Sequence, residues 1–130
     1  MSTRRKLDKK LAEERKKFKP YEGKNESERH IRLTKFMFDS EPYQALSNNA
    51  KTLYNYMKLW AYGSNEFKQR NTFDYSVSLA ACACRVSKKT AIMCFRELET
   101  GGFIERQNNS AASRQVSKWT FSDKWWKARP

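Results

Sequence analysis

Histidine, glycine, proline and cysteine are scarce in this chain of 130 residues, and the scarcity excludes several classes of protein. The sequence has one histidine, four glycines, three prolines and three cysteines. His30 has no nucleophile or paired carboxylates near it, and there is no glycine-rich phosphate loop, so we expect no catalytic residues and no enzyme. Cys82, Cys84 and Cys94 lack the CxxC spacing and the ligand number of a zinc site, which predicts reduced thiols and no metal. No motif indicates a cofactor or a small-molecule ligand.

Long apolar runs and acidic residues are also few. No run approaches the roughly 20 apolar residues of a membrane-spanning helix, and the opening MSTRRKLDKKLAEERKK lacks the apolar stretch of a signal peptide. We therefore expect a cytoplasmic protein without a membrane partner. Lys and Arg number 27 against 14 Asp and Glu, a formal charge of +13. Such a charge favours an anionic partner, with nucleic acid ahead of an acidic membrane surface, because the basic N-terminal segment has few apolar anchors.

Basic residues are dense at the N-terminus. Residues 1–30 hold eleven basic and six acidic side chains and few apolar ones. We predict that residues 1–29 form a mostly disordered basic arm and that residues 30–130 form one domain. Arg4 and Arg5 are candidates for tracking phosphates or a minor groove, and the alternative is a solubilising extension.

The middle of the chain has the spacing of helices. Each of four predicted helices is preceded by a serine that can cap its first turn: Ser40, Ser47, Ser76 and Ser87. The second has apolar residues at spacings of three and four, Trp60 among them, and is predicted to end at Gly63. The third should stop near Arg85 and the fourth at Gly101. The polar segment GSNEFKQRN predicts a turn, and residues 72–75 a short extended stretch.

Two strands are predicted after these helices, at residues 103–107 and 115–121, joined by the polar loop NNSAASR. Two strands and an exposed loop after a helix-turn-helix make a wing. The predicted fold class is therefore mainly α with a small β-hairpin (α+β). The four tryptophans are expected to serve packing, in the core or at a dimer contact, rather than base stacking: Trp60, Trp119, Trp125 and Trp126.

The stretch SVSLAACACRVSKKTAIMCFRELETGGFIERQ resembles winged helix-turn-helix proteins, whose pattern has an Ala-containing helix, a small turn, Val-Ser, basic residues with Thr, Glu-Leu and Gly-Phe-Ile. More loosely, HIRLTKFMFDSEPYQALSNNAKTLYNYM and the closing SDKW resemble wing-bearing proteins of bacterial plasmids, phages and conjugative elements, including replication initiators and transfer-origin accessory proteins. The resemblance implies a regulatory or accessory factor, in transcription, replication or conjugative transfer, that prefers certain sequences of double-stranded DNA.

A homodimer is a further expectation from the resemblance, because wing-bearing domains often bind paired half-sites. Three surfaces are candidates for its interface. They are the first long helix, the segment 31–46 and the C-terminal aromatic residues.

The candidate DNA-binding residues lie in three places. On the turn and the last long helix they are Arg85, Ser87, Lys88, Lys89, Thr90, Ile92, Met93 and Arg96. Around the loop between the strands they are Arg106, Asn108, Asn109 and Arg114, and in the arm Arg4 and Arg5. The helix macrodipole disfavours cations at a helix N-terminus, so an external phosphate would account for Lys88 and Lys89. We expect Ser87 to serve mainly as the N-cap of the helix, and Thr90 to be able to reach a phosphate.

Two positions depart from the family pattern. Arg85 stands where the family often has Gly, and we expect that its backbone needs no positive φ. Ile92 and Met93 offer no hydrogen bonds to base edges. Three alternatives stay open for this pair: contact with thymine methyl groups, a helix used for shape and charge while the wing gives specificity, or contact with another protomer.

An alternative function belongs to a different class. In it, Ile92, Met93 and the terminal tryptophans form an apolar surface of a protein-interaction module, and the positive charge serves solubility.

Overall fold

The computed structural model divides the chain into two units, residues 1–30 and 31–130. The residues that the structure describes are 21, 23–24, 28–107 and 117–127. The predicted arm with Arg4 and Arg5 and the loop residues Asn108, Asn109 and Arg114 lie outside them. Within the described residues, no helix has the length and apolarity needed to cross a membrane. All that follows concerns the second unit.

The described part of this unit is mainly helical, with a small antiparallel sheet. Its helices are α1 (Lys35–Phe38), α2 (Glu41–Gln44), α3 (Asn48–Tyr62), α4 (Asn65–Arg70), α5 (Val77–Cys84), α6 (Lys88–Thr100) and α7 (Lys124–Lys127). Its strands are β1 (Phe73–Asp74), β2 (Ile104–Arg106) and β3 (Lys118–Phe121). The predicted α+β class is confirmed.

Each helix from α1 to α6 begins at a Ser or Thr whose hydroxyl accepts a hydrogen bond from the backbone N–H three residues on. The capping residues are Thr34, Ser40, Ser47, Ser64, Ser76 and Ser87. The first N–H groups of a helix have no partner within it, so each cap stabilises its helix by about 1 kcal/mol. The four predicted helix starts and the ends at Gly63, Arg85 and Gly101 are confirmed.

The turn predicted for GSNEFKQRN is wrong, because residues Asn65–Arg70 form α4, which ends at Asn71 in the left-handed region. The physical reason is Phe67, whose ring lies 5.9 Å from Phe73 and 5.5 Å from Phe121 between centroids. This one aromatic side chain anchors a polar helix to the sheet. Such a contact between distant segments leaves no periodic pattern in the local sequence.

The predicted hairpin is part of a three-stranded sheet in which β3 lies between β1 and β2, antiparallel to both. Lys118 of β3 ties the sheet to α4, because its Nζ lies 2.5 Å from Glu66 Oε2 and 3.0 Å from Asp74 Oδ1. The hydrogen bond from Lys118 lowers the pKa of the Glu66 carboxyl. The cation of Lys118 is thus balanced within the protein.

Trp119 of β3 lies at the centre of the core and is fully buried. Phe95 of α6 stacks on it, with 4.9 Å between the ring centroids and 2° between the planes. Its indole N–H donates a hydrogen bond to the Tyr75 carbonyl at 3.0 Å. The guanidinium carbon of Arg106 lies 4.7 Å from the ring centroid. One side chain therefore joins the sheet, α6 and the segment between β1 and α5.

The four tryptophans differ in exposure. Trp119 and Trp125 are buried, which confirms the packing prediction for both. Trp60 and Trp126 are nearly half exposed. Trp60 therefore lies at the border of the buried face of α3, with its ring edge on Tyr75 at 5.9 Å.

Gly102 makes the turn between α6 and β2, with φ 82° in the left-handed region. A Cβ at this position would lie 2.7 Å from the backbone nitrogen of Trp125. That same N–H donates a hydrogen bond to the Gly102 carbonyl at 3.1 Å, and the Trp125 ring stacks on Phe103 with 5.5 Å between centroids. Only glycine permits both this φ and the close approach of α7.

Replacing Gly102 with alanine should lower the free energy of unfolding by about 1–3 kcal/mol, through backbone strain and displacement of α7. Urea denaturation followed by circular dichroism measures the loss. The matched control is Gly63→Ala, at an exposed helix end with φ −94°, where the change should stay within about 0.5 kcal/mol. Equal losses in the two variants would contradict a special role for Gly102.

Candidate nucleic-acid interface

Helix α6 has one buried and one exposed side. Ala91, Cys94, Phe95 and Leu98 face the core, as their periodicity predicts. The exposed side chains include Lys88, Lys89, Ile92, Met93 and Arg96, and we call the surface of these five the α6 face. Residues three and four apart share one side of a helix, so the structure brings these five predicted site residues together.

The start of α6 is fixed by a hydroxyl pair. The Ser87 Oγ accepts a hydrogen bond from the backbone N–H of Thr90 at 3.1 Å and donates one to Thr90 Oγ1 at 3.0 Å. Ser87 is therefore a helix cap, as expected, and Thr90 supports it. Because Ser87 caps the helix, α6 begins at Lys88, and both Lys88 and Lys89 lie in its first turn.

The cations around the start of α6 have no carboxylate to balance them. Its first turn has no acidic residue. Among the residues that the structure describes, Arg85, Lys88, Lys89 and Arg96 form no ion pair. Four other cations do pair with carboxylates: Lys35, Arg106, Lys118 and Lys124. Since the N-terminal end of a helix is itself positive, this end of α6 is a strongly electropositive surface.

The expectation that Arg85 needs no positive φ is wrong, because its φ is 56°, in the left-handed region. Its N–H donates to the Cys82 carbonyl at 3.3 Å, and that of Val86 donates to the Ala81 carbonyl at 3.0 Å. These two bonds form the Schellman end of a helix, in which glycine is the usual left-handed residue. An arginine there carries about 1–2 kcal/mol of strain while presenting its side chain to solvent.

Arg106 is held by contacts within the protein. Besides lying over Trp119, it places Nη2 3.8 Å from Glu99 Oε1 at the end of α6. Its Nη1 donates a hydrogen bond to Ser117 Oγ at 3.5 Å. The structure thus places this predicted site residue at the base of the hairpin, with its charge partly offset by Glu99.

Sequence reasoning missed the role of Glu97. Its carboxylate accepts hydrogen bonds from the Ser47 N–H and from Ser47 Oγ, the latter at 2.8 Å. The bonds join the start of α3 to α6 across 50 positions of sequence. No local pattern connects two residues so far apart, so only the folded chain reveals that Glu97 orients α6.

A groove of about 620 Å³ between α2 and α6 was also missed. Pro42, Ala45 and Leu46 form one wall, while Met93 and Arg96 lie on the other. Met93 therefore belongs to the α6 face and to the groove at the same time. Met93 thus faces the apolar residues Pro42 and Ala45 across the groove.

The three cysteines are free thiols, and burial raises the pKa of Cys84 and of Cys94. Among the residues placed by the structure, no three His, Cys, Asp or Glu side chains gather as metal ligands.

Solved structures of other proteins have a fold similar to that of this chain. No protein-family model and no curated protein matches this chain. One similar solved structure is described as the N-terminal domain of a DNA binding protein, with TM-score 0.58, 21% identity, and coverage of 74% of this chain and 76% of that one. Another, described as the structure of a Rep-DNA complex, has TM-score 0.55, 19% identity and 82% coverage of each chain. At these identities the likeness concerns the fold alone.

Replacing Arg85 with glycine should raise the free energy of unfolding by up to about 1 kcal/mol, because glycine adopts this φ without strain. Thermal and urea unfolding measure the gain. Asn71→Gly is the matched control, since Asn71 has φ 59° but is a residue type that tolerates the left-handed region, so its gain should be smaller. A clear loss of stability in Arg85→Gly would show that the arginine side chain stabilises the turn.

Proposed function

We propose that this chain is a winged helix-turn-helix protein that binds double-stranded DNA and prefers certain sequences. The observation that carries the proposal is the electropositive start of α6, where Arg85, Lys88 and Lys89 are exposed without carboxylate partners. Helices α5 and α6 take the roles of the two helices of the motif, and β2 and β3 those of the wing. The chain acts by binding, without a catalytic step.

In this proposal α6 enters the major groove by its N-terminal end. Lys88 and Lys89 neutralise phosphates, and the helix dipole strengthens that contact. Arg85 places its guanidinium beside the same backbone, which gives a reason for an arginine at a strained position. Arg96 extends the positive surface along the helix.

The wing and the arm complete the proposed interface. Asn108, Asn109 and Arg114 follow the adjacent backbone or minor groove, while Arg4 and Arg5 track phosphates. Arg106 mainly supports the wing and contributes less to the DNA contact, since its own contacts with Trp119 and Glu99 fix the base of the wing.

The biological setting proposed is that of a regulatory or accessory factor of a bacterial mobile element. Origin binding in replication, origin binding in conjugative transfer and transcriptional control all fit a small DNA-binding domain. The similarity to the fold of a Rep protein in complex with DNA favours replication among the three.

A second candidate function is a protein-interaction module. The groove between α2 and α6 favours it, because its lining includes the exposed Met93 opposite Pro42 and Ala45. An apolar contact of this kind is insensitive to salt, whereas phosphate binding is not, so one salt series separates the two functions.

Binding to random-sequence duplex DNA should weaken steeply with salt. If about five to eight cations meet phosphates, the slope of log K against log salt concentration is about −5 to −7. Fluorescence anisotropy with labelled duplex measures it. The double variant Lys88→Ala/Lys89→Ala should lower affinity for every sequence and reduce the slope by about 2.

The matched control removes two cations from α4, as Lys68→Ala/Arg70→Ala, and should leave the slope nearly unchanged. Both are exposed, as Lys88 and Lys89 are. A wild-type slope near zero contradicts DNA binding and leaves the interaction module. An equal effect of the two double variants contradicts a specific role for the start of α6.

Ile92 should affect which sequence is bound rather than how tightly phosphates are held. If it contacts a thymine methyl group, Ile92→Ala should reduce discrimination at one base pair by about 1 kcal/mol or more, with little change on random duplex. Selection of bound sequences from a random pool measures this. Leu79→Ala is the control, because Leu79 on α5 is 38% exposed against 39% for Ile92. An unchanged selected motif would show that Ile92 does not contact a base.

A further inference from the structure

The groove between α2 and α6 presents apolar side chains on both of its walls. Pro42 is half-buried and Ala45 is exposed on the α2 side, and Met93 of α6 is 59% exposed. The volume of the groove is about 620 Å³. Clefts of roughly 300–1,000 Å³ are typical of ligand sites, so the groove has room for large apolar side chains of a partner.

A cation without an ion pair also lines the groove. Arg96 is exposed on the α6 wall, and no carboxylate pairs with it among the residues that the structure describes. Glu97 lines the groove as well, but one of its carboxylate oxygens accepts the Ser47 N–H and the other the Ser47 hydroxyl. A carboxylate of a partner would therefore give Arg96 a charge-assisted hydrogen bond that it lacks within the protein.

The groove continues a line of side chains along α6. Lys89, Met93, Arg96 and Thr100 follow one another at spacings of four, three and four, which places them on one side of the helix. The last three line the groove, and Lys89 is exposed one turn before them. A segment lying along this line meets an apolar side chain with a cation on each side of it. The complementary pattern is an apolar residue flanked by acidic ones.

The charge of the whole chain favours an acidic partner for the groove. The formal charge of +13 attracts acidic surfaces and repels basic ones. The phosphate backbone of DNA supplies negative charge but no apolar group for Pro42 and Ala45. A protein segment in which Asp or Glu flanks Leu or Phe supplies both, and apolar anchors of this kind commonly hold a segment in a groove.

Occupation of the groove has a consequence for the α6 face. Met93 and Arg96 line the groove and belong to the α6 face as well, and Lys89 of the same face lies one turn away. A segment that covers these side chains makes them inaccessible to any other ligand. The groove and the α6 face are thus overlapping sites, and only one macromolecule can use them fully at a time.

We propose that the groove between α2 and α6 binds an acidic segment of a partner protein through an apolar anchor, and that this segment and DNA exclude one another. Binding of the segment does not depend on DNA. The exclusion rests on the proposed DNA binding, and it makes the partner a regulator of that binding.

Selection from a random peptide library displayed on phage, with the full chain as bait at moderate salt, tests the groove. The selected peptides should carry Asp or Glu beside a large apolar residue. Fluorescence anisotropy of one such labelled peptide gives its affinity. Ala45→Trp should weaken it about tenfold or more, because the indole fills the groove from the α2 side. Ala45 is exposed, so the melting temperature should match that of the wild type.

The matched control for the groove is Asn49→Trp, since Asn49 is exposed on α3 and outside the lining of the groove. It should bind the peptide as the wild type does. For charge, Arg96→Glu should weaken the peptide far more than Arg70→Glu, which changes an exposed cation of α4. The proposal is overturned if no acidic, apolar sequence is enriched, if Ala45→Trp keeps full affinity, or if the two charge reversals act equally.

Competition with labelled duplex DNA tests the exclusion. Unlabelled peptide should displace duplex from the wild type but not from Ala45→Trp, which should hold duplex as firmly as the wild type because Ala45 is not on the α6 face. Peptide and duplex bound together on the wild type would overturn the exclusion. A chain that binds duplex while no peptide is selected loses this proposal and keeps DNA binding. A chain that binds the peptide but no duplex keeps the groove site and loses both DNA binding and the exclusion.

Discussion

The geometry of the molecule depends on the burial of the Trp119 ring. Phe95 stacks on it from α6, the Tyr75 carbonyl accepts its N–H, and Arg106 lies over it from β2. A buried indole is tolerated only if its N–H finds a partner, so the segment before α5 is fixed along with the ring. The segment before α5, helix α6 and strands β2 and β3 are thus joined through one buried ring.

Charge is distributed unequally over this framework. Among the described residues, carboxylates balance Arg106 and Lys118 of the sheet and Lys124 of α7, whereas the cations at the start of α6 and in the turn before it have no ion pair. Arg85 adds to the imbalance at a backbone position that glycine would occupy without strain. Both features oppose stability when the protein is alone, and an anionic ligand would relieve the first of them, the unbalanced charge. Because these two features lower stability, the start of α6 is the place where a functional role is expected.

The helices and the α6 face could be predicted because their causes are local. A serine cap needs only its own helix start, and the periodicity of Ala91, Cys94 and Leu98 identifies the buried side of α6. Helix α4, the pair of Glu97 with Ser47 and the left-handed Arg85 depend on contacts or hydrogen bonds that residue spacing does not encode. The residues of the α6 face were therefore predictable from the sequence, but the orientation of α6 and the contacts that hold Arg106 were not.

The described strands β1 and β2 have two and three residues and form the two edges of the sheet. Each includes a charged side chain, and α4 packs beside β1 through Phe67. Short, charged and partly covered edges offer few free backbone groups to a strand from another molecule. Such edges protect against uncontrolled aggregation. In the described part of the sheet, a contact with another molecule would therefore be made by side chains and not by pairing of backbone strands.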